Sequence, residues 1–110
     1  MPKESEPLTF KLTEKDYARE YYESNIFLYK GNPVKALVQM RYHTTRHYWH
    51  TVLYLTYGEN WKYATPTLMG ISLMKTRKEA RKTALEFMKN SNNSLLLKLS
   101  KFHLNHIEEN

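Results

Sequence analysis

The chain has 110 residues and a mass of 13.2 kDa, enough for one compact domain and too short for two. It contains no cysteine, no apolar run that could span a membrane and no apolar signal-peptide core near Met1, so we expect an intracellular protein, cytoplasmic or nuclear, without disulfides or thiolate chemistry. The formal net charge of +6 is typical of proteins that meet a polyanion, although charge also serves solubility alone.

The first predicted element is a helix over residues 14–24. Thr13 suits a helix N-cap, and Asp16 stands three residues later as the acidic partner of a capping box. Tyr17 and Tyr21 then repeat at helical spacing. The outward side of this helix would be acidic.

Three strands are predicted next. The even-numbered residues of 34–41 are apolar, which is the period-2 pattern of a half-buried strand. Residues 42–47 are polar and predict a loop, and 48–57 alternate again as a second strand. A third strand should lie within 61–74, interrupted near Pro66 because proline cannot donate a ladder hydrogen bond.

A second helix is predicted to open at Thr76, with Glu79 as its capping-box partner. Ala80 and Ala84 fall on one side at helical spacing, where their small size lets the helix lie close to the sheet. The polar run 90–93 ends this helix.

The order of these elements predicts an α+β fold with a three-stranded antiparallel sheet and a helix packed on one sheet face. We expect a flexible tail at residues 1–11 and an α-β-β-β-α domain at 12–90. Residues 91–110 are expected to form a helical extension, because Leu95 and Leu99 recur there at helical spacing.

Basic residues cluster at the start of the second helix. A basic first turn opposes the helix dipole unless an anion lies nearby, so the cluster predicts a phosphate-binding surface. The alternative is a solvated charged face. The candidate residues are Lys75, Arg77, Lys78, Arg81 and Lys82.

Residues 76–85, TRKEARKTAL, resemble the second-helix signature of double-stranded RNA-binding domains, Ser-Lys-Lys-x-Ala-Lys-x-x-Ala-Ala. The resemblance covers about 13–90 and implies that duplex RNA is held through its backbone rather than read by sequence. It implies a phosphate clamp of Arg77, Lys78 and Arg81. It also implies that the loop between the first two strands enters a minor groove, with His43, Thr44, Arg46 and His47.

The same stretch is similar to the arm-type DNA-binding domains of phage integrases, which place a three-stranded sheet in the major groove with the helix packed behind it. This second resemblance implies that outward sheet residues read DNA. Those residues are Lys35, Gln39, Arg41, Tyr48, His50 and Tyr54. We favour duplex RNA, because the match to the first family extends from Lys78 through Ala84.

Aromatic residues allow a further use of the sheet. Tyr48, His50 and Tyr54 are predicted on its outer face, where such rings can stack on single-stranded bases. For Trp49, Tyr57 and Trp61, core and cross-strand packing is the favoured role.

No enzyme is predicted, since the chain lacks a glycine-rich phosphate loop, a paired-acid arrangement and a nucleophile elbow. His43, His47 and His50 have spacings compatible with a metal site, but no Asp or Cys stands near them. We therefore expect a non-catalytic protein without cofactor or metal, in which these histidines contact phosphate or solvent.

A protein-interaction module, such as a small viral or phage inhibitor, is the alternative from another class. The acidic first helix and an exposed run at Leu95, Leu96 and Leu97 would then form the interface, with a partner or with a second copy of the chain. Neither alternative involves a membrane.

Overall fold

The computed structural model describes residues 8–29, 31–92, 96 and 98. Within them, seven strands form one antiparallel sheet of order β1-β2-β4-β5-β6, with β3 also beside β4 and β7 also beside β5. The elements are β1 (Phe10–Asp16), β2 (Arg19–Ser24), β3 (Phe27–Tyr29), β4 (Asn32–His43), β5 (Tyr48–Tyr57), a 3-10 turn (Glu59–Trp61), β6 (Tyr63–Ala64), β7 (Met69–Met74) and α1 (Arg77–Asn90). None of the helices described is long and apolar enough to cross a membrane.

The predicted first helix is wrong, because residues 10–24 form the β1–β2 hairpin. The Asp16 carboxylate accepts a hydrogen bond from the backbone N–H of Ala18 at 2.9 Å, which closes a turn with the same side-chain chemistry that a helix cap uses. Strand β2 also pairs with residues 37–41 of β4, whose backbone groups would otherwise lack partners on that edge. The fold class is corrected accordingly: the helix–three strands–helix order gives way to a mostly β fold with one long helix after the sheet.

Residues 8–11 of the predicted tail belong to the folded body, and 1–7 lie outside the described residues. Leu8 is buried and Phe10 starts β1, so both lie in the folded body. At the other end, Leu96 and Lys98 are helical. Leu96 is buried in the core, and Lys98 is exposed. Leu96 was expected to be exposed, so that part of the predicted interface is wrong. Leu95 and Leu97, like 93, 94 and 99–110, lie outside the described residues.

The alternation predicted for the two long strands is confirmed. Val34 and Met40 of β4 are buried on the same sheet face as Trp49 and Tyr57 of β5. The two strands pair from Val34↔Tyr57 to His43↔Tyr48, so β4 continues into the segment predicted to be loop. Pro66 lies between β6 and β7, as expected for a break in the third strand.

The second predicted helix is also confirmed. Thr76 caps α1, its hydroxyl oxygen accepting the backbone N–H of Glu79 at 3.1 Å. Ala80 and Ala84 are fully buried against the sheet, and the Thr51 hydroxyl donates to the Ala80 carbonyl at 3.1 Å. The core therefore lies between α1 and one face of the sheet.

We call the other face of the sheet the open face. Alternation and register place on it the odd-numbered residues of β2 and β4 and the even-numbered residues of β5. The side chains are Arg19, Tyr21, Glu23, Lys35, Leu37, Gln39, Arg41, His43, Tyr48, His50, Val52, Tyr54 and Thr56.

Candidate nucleic-acid interface

Arg77, the first arginine of the predicted phosphate clamp, is engaged within the protein. Its Nη2 atom donates to the carbonyl of Asp16 at 2.7 Å and to that of Arg19 at 3.2 Å. The same atom lies 3.3 Å from Glu20 Oε1, and the guanidinium stands 5.2 Å from the centre of the Trp49 indole. These contacts fasten the start of α1 to the β1–β2 turn.

Arg81, the other clamp arginine, pairs with the same carboxylate. Its Nε atom donates to Glu20 Oε2 at 3.2 Å, and its Nη2 atom donates to Oε1. Glu20 is only 1% exposed, so it needs such partners to remain charged. Burial alone would raise the pKa of Glu20, but the hydrogen bond and charge of Arg81, together with the charge of Arg77, hold that pKa below its ordinary value.

The remaining basic residues of the predicted clamp region are exposed. Lys78 and Lys82 lie on the outer side of α1, and Lys75 immediately precedes the helix. The backbone N–H of Lys75 donates to Glu79 Oε2 at 3.4 Å. The structure therefore divides the predicted site: two arginines turn inward to Glu20, and three lysines face solvent.

The predicted loop residues meet at the β4–β5 turn, which we call the hairpin tip (residues 44–47). The backbone N–H of Arg46 donates to His43 Nδ1 at 3.2 Å, and the Tyr42 hydroxyl lies 3.2 Å from His47 Nδ1. The imidazole of His43 stacks on the Tyr48 ring with centroids 5.1 Å apart. The tip therefore adjoins one end of the open face.

A cross-strand row of basic side chains lies next to the tip. Arg19 pairs with Arg41 across β2 and β4, and Arg41 pairs with His50 across β4 and β5. The Tyr21 ring stands beside this row, with its centre 5.3 Å from the Arg41 guanidinium and 5.9 Å from that of Arg19. Sequence analysis missed Tyr21 as a residue of this face because it was assigned to a helix, and the adjacent Tyr21 and Tyr22 gave no clear strand alternation.

Most charges of the open face are paired locally. Arg19 contacts Asp16 at 2.7 Å and Glu14 at 3.1 Å. Lys35 pairs with Glu23 and lies 4.2 Å from the centre of the half-buried Trp61 ring.

Arg41 is different from these neighbours. It is exposed, and among the described residues no carboxylate lies within ion-pair distance of it. The Tyr21 ring is its contact on β2. A full positive charge therefore stands uncompensated on the sheet, between aromatic rings.

Burial favours the neutral forms of two titratable rings near Arg41, those of His50 and Tyr54. Burial, then the charges of Arg41 and His43, lower the pKa of His50, so its imidazole is uncharged near neutrality. Burial likewise raises the pKa of Tyr54, although Arg41 and a hydrogen bond with Gln39 act in the opposite direction. These side chains thus offer ring faces and hydrogen bonds rather than further charge.

Within the described ranges, no group of three His, Asp or Glu side chains is arranged to hold a metal ion. No protein-family model matches the chain, and no curated protein or solved structure is significantly similar to it. The assignment of function therefore depends on the geometry of the open face.

Proposed function

We propose that this protein is a non-catalytic nucleic-acid-binding domain whose ligand lies across the open face of the sheet. The observation that carries the proposal is Arg41, an exposed cation without a carboxylate partner among the described residues, set between Tyr21 and His50. Basic and aromatic side chains interleaved on an exposed sheet combine attraction for phosphate with stacking for bases. The net charge of +6 adds a long-range attraction for a polyanion.

The choice of the sheet over the helix follows from the partners of the arginines. If Arg77 and Arg81 turned outward to phosphates, the buried carboxylate of Glu20 would keep only the more distant Lys15 Nζ at 3.6 Å and the Tyr22 hydroxyl at 3.3 Å. Removing a partner from a buried ion pair costs about 3–5 kcal/mol. If Arg41 turned to a phosphate, it would lose only its contact with the Tyr21 ring, which is worth about 1 kcal/mol or less at an exposed site.

The hairpin tip extends this surface. Arg46 is exposed there, beside His43 and His47. We assign to Arg46 a contact with the backbone of the ligand, because the tip continues the line of Arg41 and His50 past the end of the sheet. In this arrangement the rings of the sheet contact the bases, and Arg41 and the tip hold phosphates.

The test compares two variants, each lacking one positive charge, by fluorescence anisotropy with labelled oligonucleotides at low salt. Arg41→Ala removes one charge from the open face, and Lys78→Ala removes one charge from the exposed side of α1 as a matched control. We expect Arg41→Ala to weaken binding about tenfold and to reduce the salt slope by about one, with Lys78→Ala changing affinity less than about twofold.

Other results would redirect the assignment. A larger loss for Lys78→Ala than for Arg41→Ala would place the ligand on the helix, in the manner of the duplex RNA resemblance. Wild-type protein that binds neither RNA nor DNA at low salt would contradict the proposal. Light scattering that shows a dimer broken by Arg41→Ala would instead identify the open face as a contact between two copies.

A further inference from the structure

A groove runs along the open face between β5 and the segment 64–67. Its volume is about 460 Å³, within the range of roughly 300–1,000 Å³ that is usual for small-molecule sites. Its lining includes His50, Val52 and Tyr54 of β5 and the segment 64–67. The groove therefore combines two rings with the apolar side chains of Val52, Ala64 and Pro66.

The wall of the groove is held firmly to the sheet. The backbone N–H of Thr65 donates to the Leu55 carbonyl at 2.9 Å, and the Thr65 hydroxyl accepts the N–H of Leu55 at 3.0 Å. Beyond Pro66, the N–H of Leu68 donates to the Leu53 carbonyl at 2.8 Å. Because both ends of 65–68 are hydrogen-bonded to β5, the groove exists before any ligand arrives.

Polar groups stand along one side of the groove. Gln39 is 8% exposed and lies diagonally across from Tyr54 on the neighbouring strand, since it pairs with Val52. Arg41 lies next to Gln39 on the same face of β4, at the edge of the groove. A planar heterocycle with a phosphate attached matches this set: a ring face for Tyr54, a polar edge for Gln39 and a charge for Arg41.

Resting on the proposed function, we propose that the groove holds one unstacked base of a single-stranded nucleic acid, stacked on Tyr54, with the adjoining phosphate at Arg41. A duplex does not fit this description, since its base faces are covered by its own stack.

The experiment measures affinity for strands of about 12 nucleotides, a length within the usual site sizes of single-strand binders. The probes are dT and rU homopolymers, a dT·dA duplex and an all-abasic strand that keeps the phosphates without bases. We expect dT or rU to bind at least about tenfold more tightly than the duplex and the abasic strand.

Tyr54→Ala should abolish the advantage of the base-bearing strand over the abasic strand, whereas Tyr54→Phe, which keeps the ring, should retain it within about threefold. Urea unfolding of both variants shows that the folded state is intact. Equal binding of single strand, duplex and abasic strand, all weakened by Arg41→Ala, would overturn this inference and leave the proposed function standing. Failure of every probe to bind would overturn the proposed function itself.

Discussion

Arg77 and Arg81 on the helix side of the sheet and Arg41 on the open face have opposite surroundings. On the helix side, Arg77 and Arg81 converge on the buried carboxylate of Glu20 and tie α1 to β2. On the open face, Arg41 has a tyrosine ring beside it and no carboxylate partner among the described residues. A cluster of basic residues in a sequence is therefore not by itself a binding surface. The position of the carboxylates decides which cations remain available.

The largest expected effect concerns stability. Glu20→Gln removes the charge that Arg77 and Arg81 share, and we expect a loss of about 3 kcal/mol in the free energy of unfolding, measured by urea denaturation. Glu23→Gln is the matched control, because Glu23 lies on the same strand and pairs with Lys35 nearer the surface. Its effect should stay below about 1 kcal/mol. Equal losses of unfolding free energy for the two variants would show that the ion pairs of Glu20 stabilise the fold no more than the ion pair of Glu23.

A smaller effect separates the roles of adjacent cations on α1. Arg81→Ala should destabilise the fold by about 1 kcal/mol, a modest value because the Arg81 side chain is 42% exposed. Lys82→Ala, at the neighbouring exposed position, should change the unfolding free energy by less than about 0.5 kcal/mol. Neither change should alter nucleic-acid affinity by more than about twofold if the ligand lies on the open face. A strong loss of affinity for Arg81→Ala with unchanged stability would place the ligand on the helix rather than on the open face.

The smallest effect is the pH dependence that Glu20 confers. Its pKa is lowered in the folded protein, so the unfolded chain takes up the proton first as the pH falls. The stabilisation is complete above the ordinary pKa of 4.5 and is lost as the pH drops through the lower folded value. We expect the unfolding free energy of the wild type to fall more steeply below pH 4.5 than that of Glu20→Gln. Parallel curves for the two proteins would contradict this assignment.

The elements that sequence analysis predicted correctly are those with locally complete signals. Strands β4 and β5 show a long alternation, and α1 has both a cap at Thr76 and buried alanines at helical spacing. The β1–β2 hairpin was missed because Asp16 can close a turn as well as cap a helix, and because two adjacent tyrosines fit either period. Its strand pairing with β4 is a long-range interaction, which no local pattern contains.

The candidate site was predicted in part for the same reason. The alternation of β4 and β5 already placed Arg41, His50 and Tyr54 together on the outer face of the sheet. The pairing of Arg81 with Glu20 joins residues 61 positions apart in the chain, so the inward turn of the helix arginines could not be read from the segment that carries them. Only the folded arrangement distinguishes the two paired helix arginines from Arg41, which has no carboxylate partner within the described part of the chain.

The most direct test of the account is an NMR titration of isotopically labelled protein with a short oligonucleotide, following the backbone amide of each residue. We predict that the largest shifts occur on the open face, at Tyr21, Arg41, His50 and Tyr54, while the amides of Lys78 and Lys82 change little. Shifts concentrated on α1, with the open face unaffected, would contradict it.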